Sequence, residues 1–178
     1  MKRLKQELIF SGRLVRLCLE EWTDGEKTYS REIIYHPGAV AVLPLYGENV
    51  VLIKQFRQAV GKYLVEIPAG LIEACELPEE TARREVEEET GFVVETLKKL
   101  AEFYSSPGMT NETLHLFLAE VKPSSSNNTT LDEDESLEVI IVHLNEFIRL
   151  AETGQLKDSK TLMAALIYKC YSVTNEAI

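Results

Sequence analysis

The stretch RREVEEETGF, residues 83 to 92, holds four glutamates in ten positions and shows no strand-like alternation of apolar and polar residues. Upstream, Pro78 suits the first turn of a helix, because proline lacks an N–H that would go unbonded there in any case. Gly91 suits the position just past the last turn, where the chain adopts a left-handed conformation. The sequence therefore predicts a helix over residues 78 to 90.

Three acidic side chains of this helix crowd onto one face. Glu85, Glu88 and Glu89 stand at positions i, i+3 and i+4, and like charges at these spacings cost roughly 0.2–0.5 kcal/mol per pair. Arg84 and Glu88 form an opposite-charge i, i+4 pair, but one arginine does not offset the whole cluster. Two explanations remain open: a solvated acidic face, which is the usual meaning of a charge run, or a site for a hard divalent cation.

Composition limits the classes of function. The 178 residues suffice for one sizeable domain or one domain with a small appendage. The formal net charge of −10 argues against a nucleic-acid surface. No run of about 18 apolar residues predicts a membrane span, and without a signal peptide we expect a cytoplasmic protein. The isolated cysteines, Cys18, Cys75 and Cys170, favour neither a zinc site nor a disulfide framework.

Strand patterns dominate the chain before and after the acidic helix. Residues 6 to 36 read as short strands, and Pro37 and Gly38 then mark a boundary. AVAVLPLY and NVVLIKQFR flank a turn and predict a hairpin, and YLVEIPAG reads as another strand, ended by Pro68 and Gly70. Two helices are predicted late, near residues 145 to 153 and 158 to 172. We therefore expect an α+β fold, an α/β/α sandwich around a mixed sheet, with a β segment at 1–37 and the main domain at 38–178.

Spacing decides between the two explanations of the acidic face. Five residues separate Gly70 from Glu76, and seven more separate Glu76 from Arg84 and Glu85. Residues 70 to 92 match every fixed position of the Nudix box, Gly-x5-Glu-x7-Arg-Glu-U-x-Glu-Glu-x-Gly-U, where U is bulky and apolar. So many restricted positions at fixed spacing are far more specific than a lone short motif. The chain therefore resembles a Nudix hydrolase.

The resemblance implies a fold, a cofactor and a set of roles. It implies the α/β/α sandwich and Mg²⁺-dependent cleavage, with Mn²⁺ as a substitute, of a nucleoside diphosphate linked to another group. Glu85 and Glu89 match the principal metal-ligand positions and Glu88 matches the third acid. The carbonyl of Ala69 matches a further ligand, and Arg84 matches the arginine that orients these carboxylates.

Residues outside the box resemble the ADP-ribose pyrophosphatase branch of the family. SSPGMTNE, residues 105 to 112, sets Pro107 fifteen residues after Phe92, as in that branch, and we assign Pro107, Gly108 and Glu112 to substrate binding. A plain turn is the simpler reading of Pro-Gly.

Two further residues agree with the branch assignment. Arg57, at a strand end, matches an arginine near the substrate diphosphate, whose oxygens suit a guanidinium fork. Glu66 in VEIPAG is expected to accept hydrogen bonds from substrate or to support the metal site.

An acidic loop, LDEDESLEV, follows far downstream. The resemblance points to Glu133 as the catalytic base, with Glu135 as runner-up and as a possible metal ligand. The chemistry requires a carboxylate that takes a proton from water. A flexible acidic loop that only repels anions is the competing interpretation.

The N-terminal strands resemble the segment through which this branch forms swapped homodimers. Arg31 stands where the branch has an arginine that contacts the nucleotide. Trp22 or Tyr29 would stack on adenine, or the tryptophan would simply pack in the dimer interface.

The predicted reaction is hydrolysis of ADP-ribose to AMP and ribose 5-phosphate. Three alternatives stay open: hydrolysis of another nucleoside diphosphate sugar or dinucleotide, a non-catalytic nucleotide sensor, and an acidic interaction module. The intact box argues against the sensor, and the acidic interaction module is the least favoured of the three.

Overall fold

The computed structural model describes residues 1–125 and 137–175. A small antiparallel sheet comes first, built from β1 (Lys2–Ser11), β2 (Arg16–Thr23) and β3 (Thr28–Tyr35). The remaining elements are, in chain order, β4 (Ala39–Tyr46), β5 (Asn49–Arg57), β6 (Lys62–Glu66), β7 (Ala69–Leu71), α1 (Pro78–Thr90), β8 (Phe92–Tyr104), β9 (Thr113–Pro123), β10 (Glu138–His143), α2 (Leu144–Glu152) and α3 (Ser159–Asn175).

The larger sheet is mixed. Its strand order is β10-β5-β4-β9-β8, with β6 paired to β5 and β7 paired to β4. The β4–β9 pair is parallel, and the other pairs are antiparallel. Ile67 and Pro68 interrupt the ladder, so the predicted strand in YLVEIPAG ends before Pro68 as β6, and a second strand that was not predicted, β7, begins at Ala69. The division allows β6 to pair with β5 and β7 to pair with β4.

Two apolar layers cover opposite faces of this sheet. Alternate side chains point to opposite faces of a strand, so Val40 and Val42 pack with Ala82 and Val86 of α1. The intervening residues of β4 pack with α2 and α3 in a second cluster, Ala41, Leu43, Val50, Leu52, Ile67, Leu116, Phe147, Ala151, Leu156, Ala164 and Ala165. The predicted α+β fold, an α/β/α sandwich around a mixed sheet with an additional antiparallel segment, is confirmed.

The acidic helix has the predicted bounds. Pro78 is its first residue, and the Leu77 N–H donates to Glu80 Oε2 at 2.9 Å, which satisfies one N–H group at the helix start. Gly91 has φ 72°, and its N–H donates to the carbonyl of Glu87. These local contacts fix where α1 begins and ends, and hence which residues face the sheet.

The small sheet joins the rest of the described chain at β3. The Ile34 N–H donates to the Met109 carbonyl at 2.8 Å, which connects β3 to the loop between β8 and β9. Strand β1 is exposed along its whole length, although it carries Leu8, Ile9 and Phe10, each more than half exposed. Within residues 1–125 and 137–175, none of the helices combines the length and the apolar character that crossing a bilayer requires.

Candidate active site

One cavity of about 710 Å³ gathers most of the predicted site residues. Helix α1 and strand β7 contribute one part of its wall, and the end of β5 with the start of α3 contributes another. The predicted residues that line it are Arg57, Ala69, Arg84, Glu85, Glu88, Glu89 and Glu112. They come from four places in the chain, which the fold brings together.

Arg84 organises the acidic wall, which we define as Glu76, Arg84, Glu85, Glu88 and Glu89. Its guanidinium donates to both Glu76 oxygens at 3.0 and 3.1 Å, and its Nη1 donates to Glu85 at 2.7 Å and Glu88 at 3.0 Å. The bonds to Glu76 are the largest cause of a raised Arg84 pKa. The same pairing lowers the pKa of Glu76 to about 2. One cation is thus shared by three anions.

Glu89 lies deeper than its neighbours. It is only 4% exposed, and its Oε2 accepts the Ala69 N–H at 2.9 Å. This bond ties α1 to β7.

Glu85 lies directly over Gly70. A Cβ added at Gly70 would meet the Glu85 carboxyl carbon at 1.9 Å. Gly70 therefore provides the space that the Glu85 carboxylate occupies.

The donor chemistry of the acidic wall fits a hard divalent cation. Glu85, Glu88, Glu89 and the Ala69 carbonyl offer only oxygen ligands, which Mg²⁺ prefers. Within the part of the chain that the structure describes, no three acidic, histidine or cysteine side chains converge on a common point. Arg84 occupies the space between Glu85 and Glu88, so a cation would compete with that guanidinium for both carboxylates.

The second part, which we call the basic wall, consists of Arg57, Glu66, Asp158 and Lys160. Glu66 is fully buried. It accepts Arg57 Nε at 2.8 Å and Arg57 Nη2 at 2.7 Å, and it also accepts Lys160 Nζ. Burial raises the pKa of Glu66, but the bonds to Arg57 and Lys160 outweigh it, so the net pKa lies below the ordinary range. Glu66 lies behind the cavity and holds Arg57, which does line it.

Lys160 and Asp158 were not predicted from the sequence. Asp158 precedes α3, and its Oδ2 accepts the Thr161 N–H at 2.9 Å, as an N-cap does. Lys160 donates to Asp158 Oδ1 at 3.0 Å, and both residues line the cavity. The N-cap pattern was readable, but Glu66 and Lys160 are 94 positions apart, and no local pattern joins them.

The loop at residues 105 to 112 contributes its ends to the cavity. Ser105 and Glu112 line it, and the Ser105 hydroxyl donates to Glu112. Pro107 and Gly108 form the turn beyond and are not among the lining residues. A Cβ at Gly108 would meet nothing within 4 Å.

The small sheet places its predicted residues away from this cavity. Arg31 donates to the Ser30 carbonyl at 2.7 Å and lies over the Tyr29 ring, 5.6 Å from its centroid. Trp22 donates from Nε1 to Glu20 at 2.8 Å. Instead, Arg13 and Leu14, at the turn between β1 and β2, line the cavity within the same chain.

Two predicted residues, Glu133 and Glu135, lie outside the described residues.

The fold and the cavity together define a class: an α/β/α sandwich that presents a carboxylate-rich helix to a cavity whose wall also carries basic side chains. The NUDIX domain family matches residues 35–165. The chain belongs to the Nudix family, as the sequence predicted.

Proteins similar in sequence to this chain carry three different functional names. The chain is 45% identical over 166 residues to the ADP-ribose pyrophosphatase of Bacillus subtilis (strain 168), covering 92% of this chain and 89% of that protein. It is 43% identical over 166 residues to the methanol dehydrogenase activator of Bacillus methanolicus, with the same coverage. It is 37% identical over 150 residues to the GDP-mannose pyrophosphatase of Escherichia coli O1:K1 / APEC, covering 79% of this chain and 78% of that protein.

Proposed function

We propose that this protein hydrolyses the diphosphate of ADP-ribose to AMP and ribose 5-phosphate with Mg²⁺ as cofactor, Mn²⁺ being a substitute. The observation that carries the proposal is the pairing of the acidic wall with the basic wall across one cavity of about 710 Å³. That volume is within the usual range for small-molecule sites. The 45% identical ADP-ribose pyrophosphatase supports the choice of substrate.

The residues of the acidic wall are proposed to hold the cofactor. Glu85, Glu88, Glu89 and the Ala69 carbonyl are the ligands, and Arg84 keeps the carboxylates in place. When bound, Mg²⁺ supplies charge neutralisation at the diphosphate and makes a water molecule more acidic.

The residues of the other elements bind substrate and handle the proton. Arg57 faces the diphosphate, because a guanidinium fork matches phosphate oxygens. Glu112, supported by the turn at Pro107 and Gly108, is proposed to contact the part of the substrate that carries the ribose. Water attacks one phosphorus, the bridging oxygen leaves with the other phosphate, and Glu133, or else Glu135, takes the proton from water.

The small sheet is proposed to make the protein a homodimer. Residues 1–37 would form the dimerisation segment and 38–178 the hydrolase domain. The exposed apolar side chains of β1 support this proposal, since large exposed apolar surfaces mark interfaces. Arg31 and one of the aromatic residues Trp22 and Tyr29 would then contact the partner's nucleotide. Light scattering on the whole chain and on the triple variant Leu8→Ser, Ile9→Ser, Phe10→Ser tests it: a wild-type monomer contradicts the dimer.

A substrate panel tests the proposed reaction. Purified protein is incubated with ADP-ribose, GDP-mannose or NADH, each with Mg²⁺, with Mn²⁺ or with EDTA, and products are separated by chromatography. We expect AMP from ADP-ribose with either metal and none with EDTA. Preferred turnover of GDP-mannose or NADH would move the assignment to another diphosphate substrate. Tight binding of ADP-ribose without hydrolysis under both metals would make the protein a sensor.

The cytoplasmic location inferred from the sequence stays a prediction.

A further inference from the structure

A single buried carboxylate joins the two cations of the basic wall. Glu66 is 0% exposed, and both of its oxygens accept bonds from Arg57, while Oε2 also accepts Lys160. A buried charge is costly unless it is paired and fully hydrogen-bonded. The Glu66 carboxylate therefore depends on both cations, and the position of each cation depends on Glu66.

The bonds to Glu66 determine which edge of Arg57 faces the cavity. Arg57 uses Nε and Nη2 toward Glu66. A guanidinium is planar and rigid, so a two-point contact on one edge fixes the whole plane. Among the described residues these bonds leave the remaining edge, with Nη1, to a ligand in the cavity that Arg57 lines.

Lys160 fixes Glu66 from the other side. Its side chain is 11% exposed, and its ammonium donates to Glu66 and, at 3.0 Å, to Asp158. Asp158 is itself fixed by the Thr161 N–H at 2.9 Å. Lys160 is thus held at the start of α3 and in turn restrains the carboxylate on which Arg57 rests.

We propose that Lys160 is a positioning residue that acts through Glu66 to set the orientation of the Arg57 guanidinium toward the substrate diphosphate. The proposal rests on the proposed function, because it takes Arg57 to contact a diphosphate. Attachment of α3 to the sheet does not by itself require Lys160. Ala164 and Ala165 of α3 are fully buried in the core, and the Thr161 hydroxyl accepts the Ile67 N–H at 2.9 Å.

A double-mutant cycle tests whether Lys160 acts through Arg57. The variants are Lys160→Met, Arg57→Ala and the two combined, with kcat/KM for ADP-ribose measured at saturating Mg²⁺. Methionine keeps the volume of lysine but lacks the ammonium. We expect Lys160→Met to lower kcat/KM about 10- to 100-fold, as misplacement of a substrate-contacting group does. In the Arg57→Ala background the same change should have less than about a twofold effect, because coupled residues are not additive.

Lys157→Met is the matched control. Lys157 stands three residues earlier, is exposed and donates to the Gly154 carbonyl at 2.7 Å. It should leave kcat/KM unchanged. Equal losses from Lys160→Met with and without Arg57 would overturn the proposal, because Lys160 would then contact substrate directly or act only on stability.

A second readout needs no turnover. The Arg57 Nε–H signal in a ¹⁵N spectrum is identified by its absence in Arg57→Ala, and its exchange with water is measured. We expect slow exchange in the wild type and in Lys157→Met and faster exchange in Lys160→Met. Unchanged exchange in Lys160→Met overturns the proposal.

The two readouts separate this proposal from the proposed function. A wild-type protein that releases no AMP refutes the ADP-ribose reaction, while the exchange rates still decide whether Lys160 positions Arg57. If melting curves show that Lys160→Met does not fold, Lys160→Gln takes its place in both measurements.

Discussion

The two walls of the cavity are built on opposite patterns of ion pairing. In the acidic wall one cation, Arg84, is shared by the three anions Glu76, Glu85 and Glu88. In the basic wall one anion, Glu66, is shared by the two cations Arg57 and Lys160. Counting the formal charges of each wall as defined, the acidic wall carries +1 − 4 = −3, and the basic wall carries +2 − 2 = 0.

The difference in charge goes with a difference in burial. The Glu88 side chain is 35% exposed, whereas that of Glu66 is 1% exposed. The acidic wall retains excess negative charge near solvent, which a divalent cation would neutralise. The basic wall is already ion-paired through the buried Glu66 carboxylate before any ligand arrives. One wall is therefore suited to exchange its partners on binding, and the other is already fixed in place.

The largest effect on activity should come from removing the charge of Glu89, the most buried carboxylate that lines the acidic wall. Glu89→Gln keeps an oxygen that accepts the Ala69 N–H, so the fold should persist, but the amide is a poor metal ligand. A loss of about 4 kcal/mol of transition-state stabilisation lowers kcat roughly 1000-fold. Steady-state kinetics with Mg²⁺, alongside a melting curve, measures it.

Glu87→Gln is the control for that variant. Glu87 lies on the same helix but is exposed and does not line the cavity. It should keep full activity. Wild-type kcat in Glu89→Gln would contradict the ligand assignment.

The second-largest effect should be a loss of folding stability when Glu66 of the basic wall is replaced. Glu66→Gln removes the anionic partner of Arg57 and leaves Lys160 with Asp158 alone, and breaking a buried ion pair typically costs about 3–5 kcal/mol. Urea unfolding measures the loss. Glu138→Gln removes an exposed pair with Lys54 at 3.0 Å and should cost less than about 1 kcal/mol. Equal costs for the two variants would show that the Glu66 network contributes no more than a surface pair.

A smaller effect, on the Mg²⁺ dependence of activity, is expected at Gly70, which lies beneath the Glu85 carboxylate. In Gly70→Ala the new methyl would overlap the Glu85 carboxylate. Because that carboxylate is the end of a flexible side chain, it should move at little cost to stability. The displaced ligand should raise the Mg²⁺ concentration for half-maximal activity about tenfold. Gly108→Ala, where the methyl meets nothing within 4 Å, should leave it unchanged. The same Mg²⁺ dependence in both variants would contradict the role of Gly70.

The two walls also differ in how much of them the sequence predicts. The acidic wall comes from one short stretch of the chain, residues 76 to 89, so helix periodicity, Pro78 and Gly91 were enough to predict the bounds of α1 and the face that its glutamates share. The basic wall joins β5, β6 and the start of α3, and only tertiary packing brings Glu66 to Lys160. The resemblance to a family supplied Arg57 and Glu66, but neither it nor any local pattern pointed to Lys160.

The fold shows the same limit. Strands β4 and β5 and helix α1 have the predicted bounds because turn residues and glycines mark their ends. The second strand, β7, was not predicted, because Pro68 and Gly70 indicated only the end of a strand, and only the two different partner strands reveal the division.

The smallest effect concerns the contribution of the Glu76–Arg84 ion pair to folding stability at acid pH. Pairing with Arg84 lowers the pKa of Glu76 from 4.5 to about 2, so the folded protein binds the proton less readily than the unfolded chain. The pair therefore stabilises the fold fully above pH 4.5, and this contribution is lost as the pH falls toward 2. Glutamine mimics the protonated acid. Glu76→Gln should melt below the wild type at pH 6, and the gap should shrink steadily between pH 4.5 and 2.5. A gap that stays constant over this range would show that Glu76 stabilises the loop before α1 through contacts other than its charge.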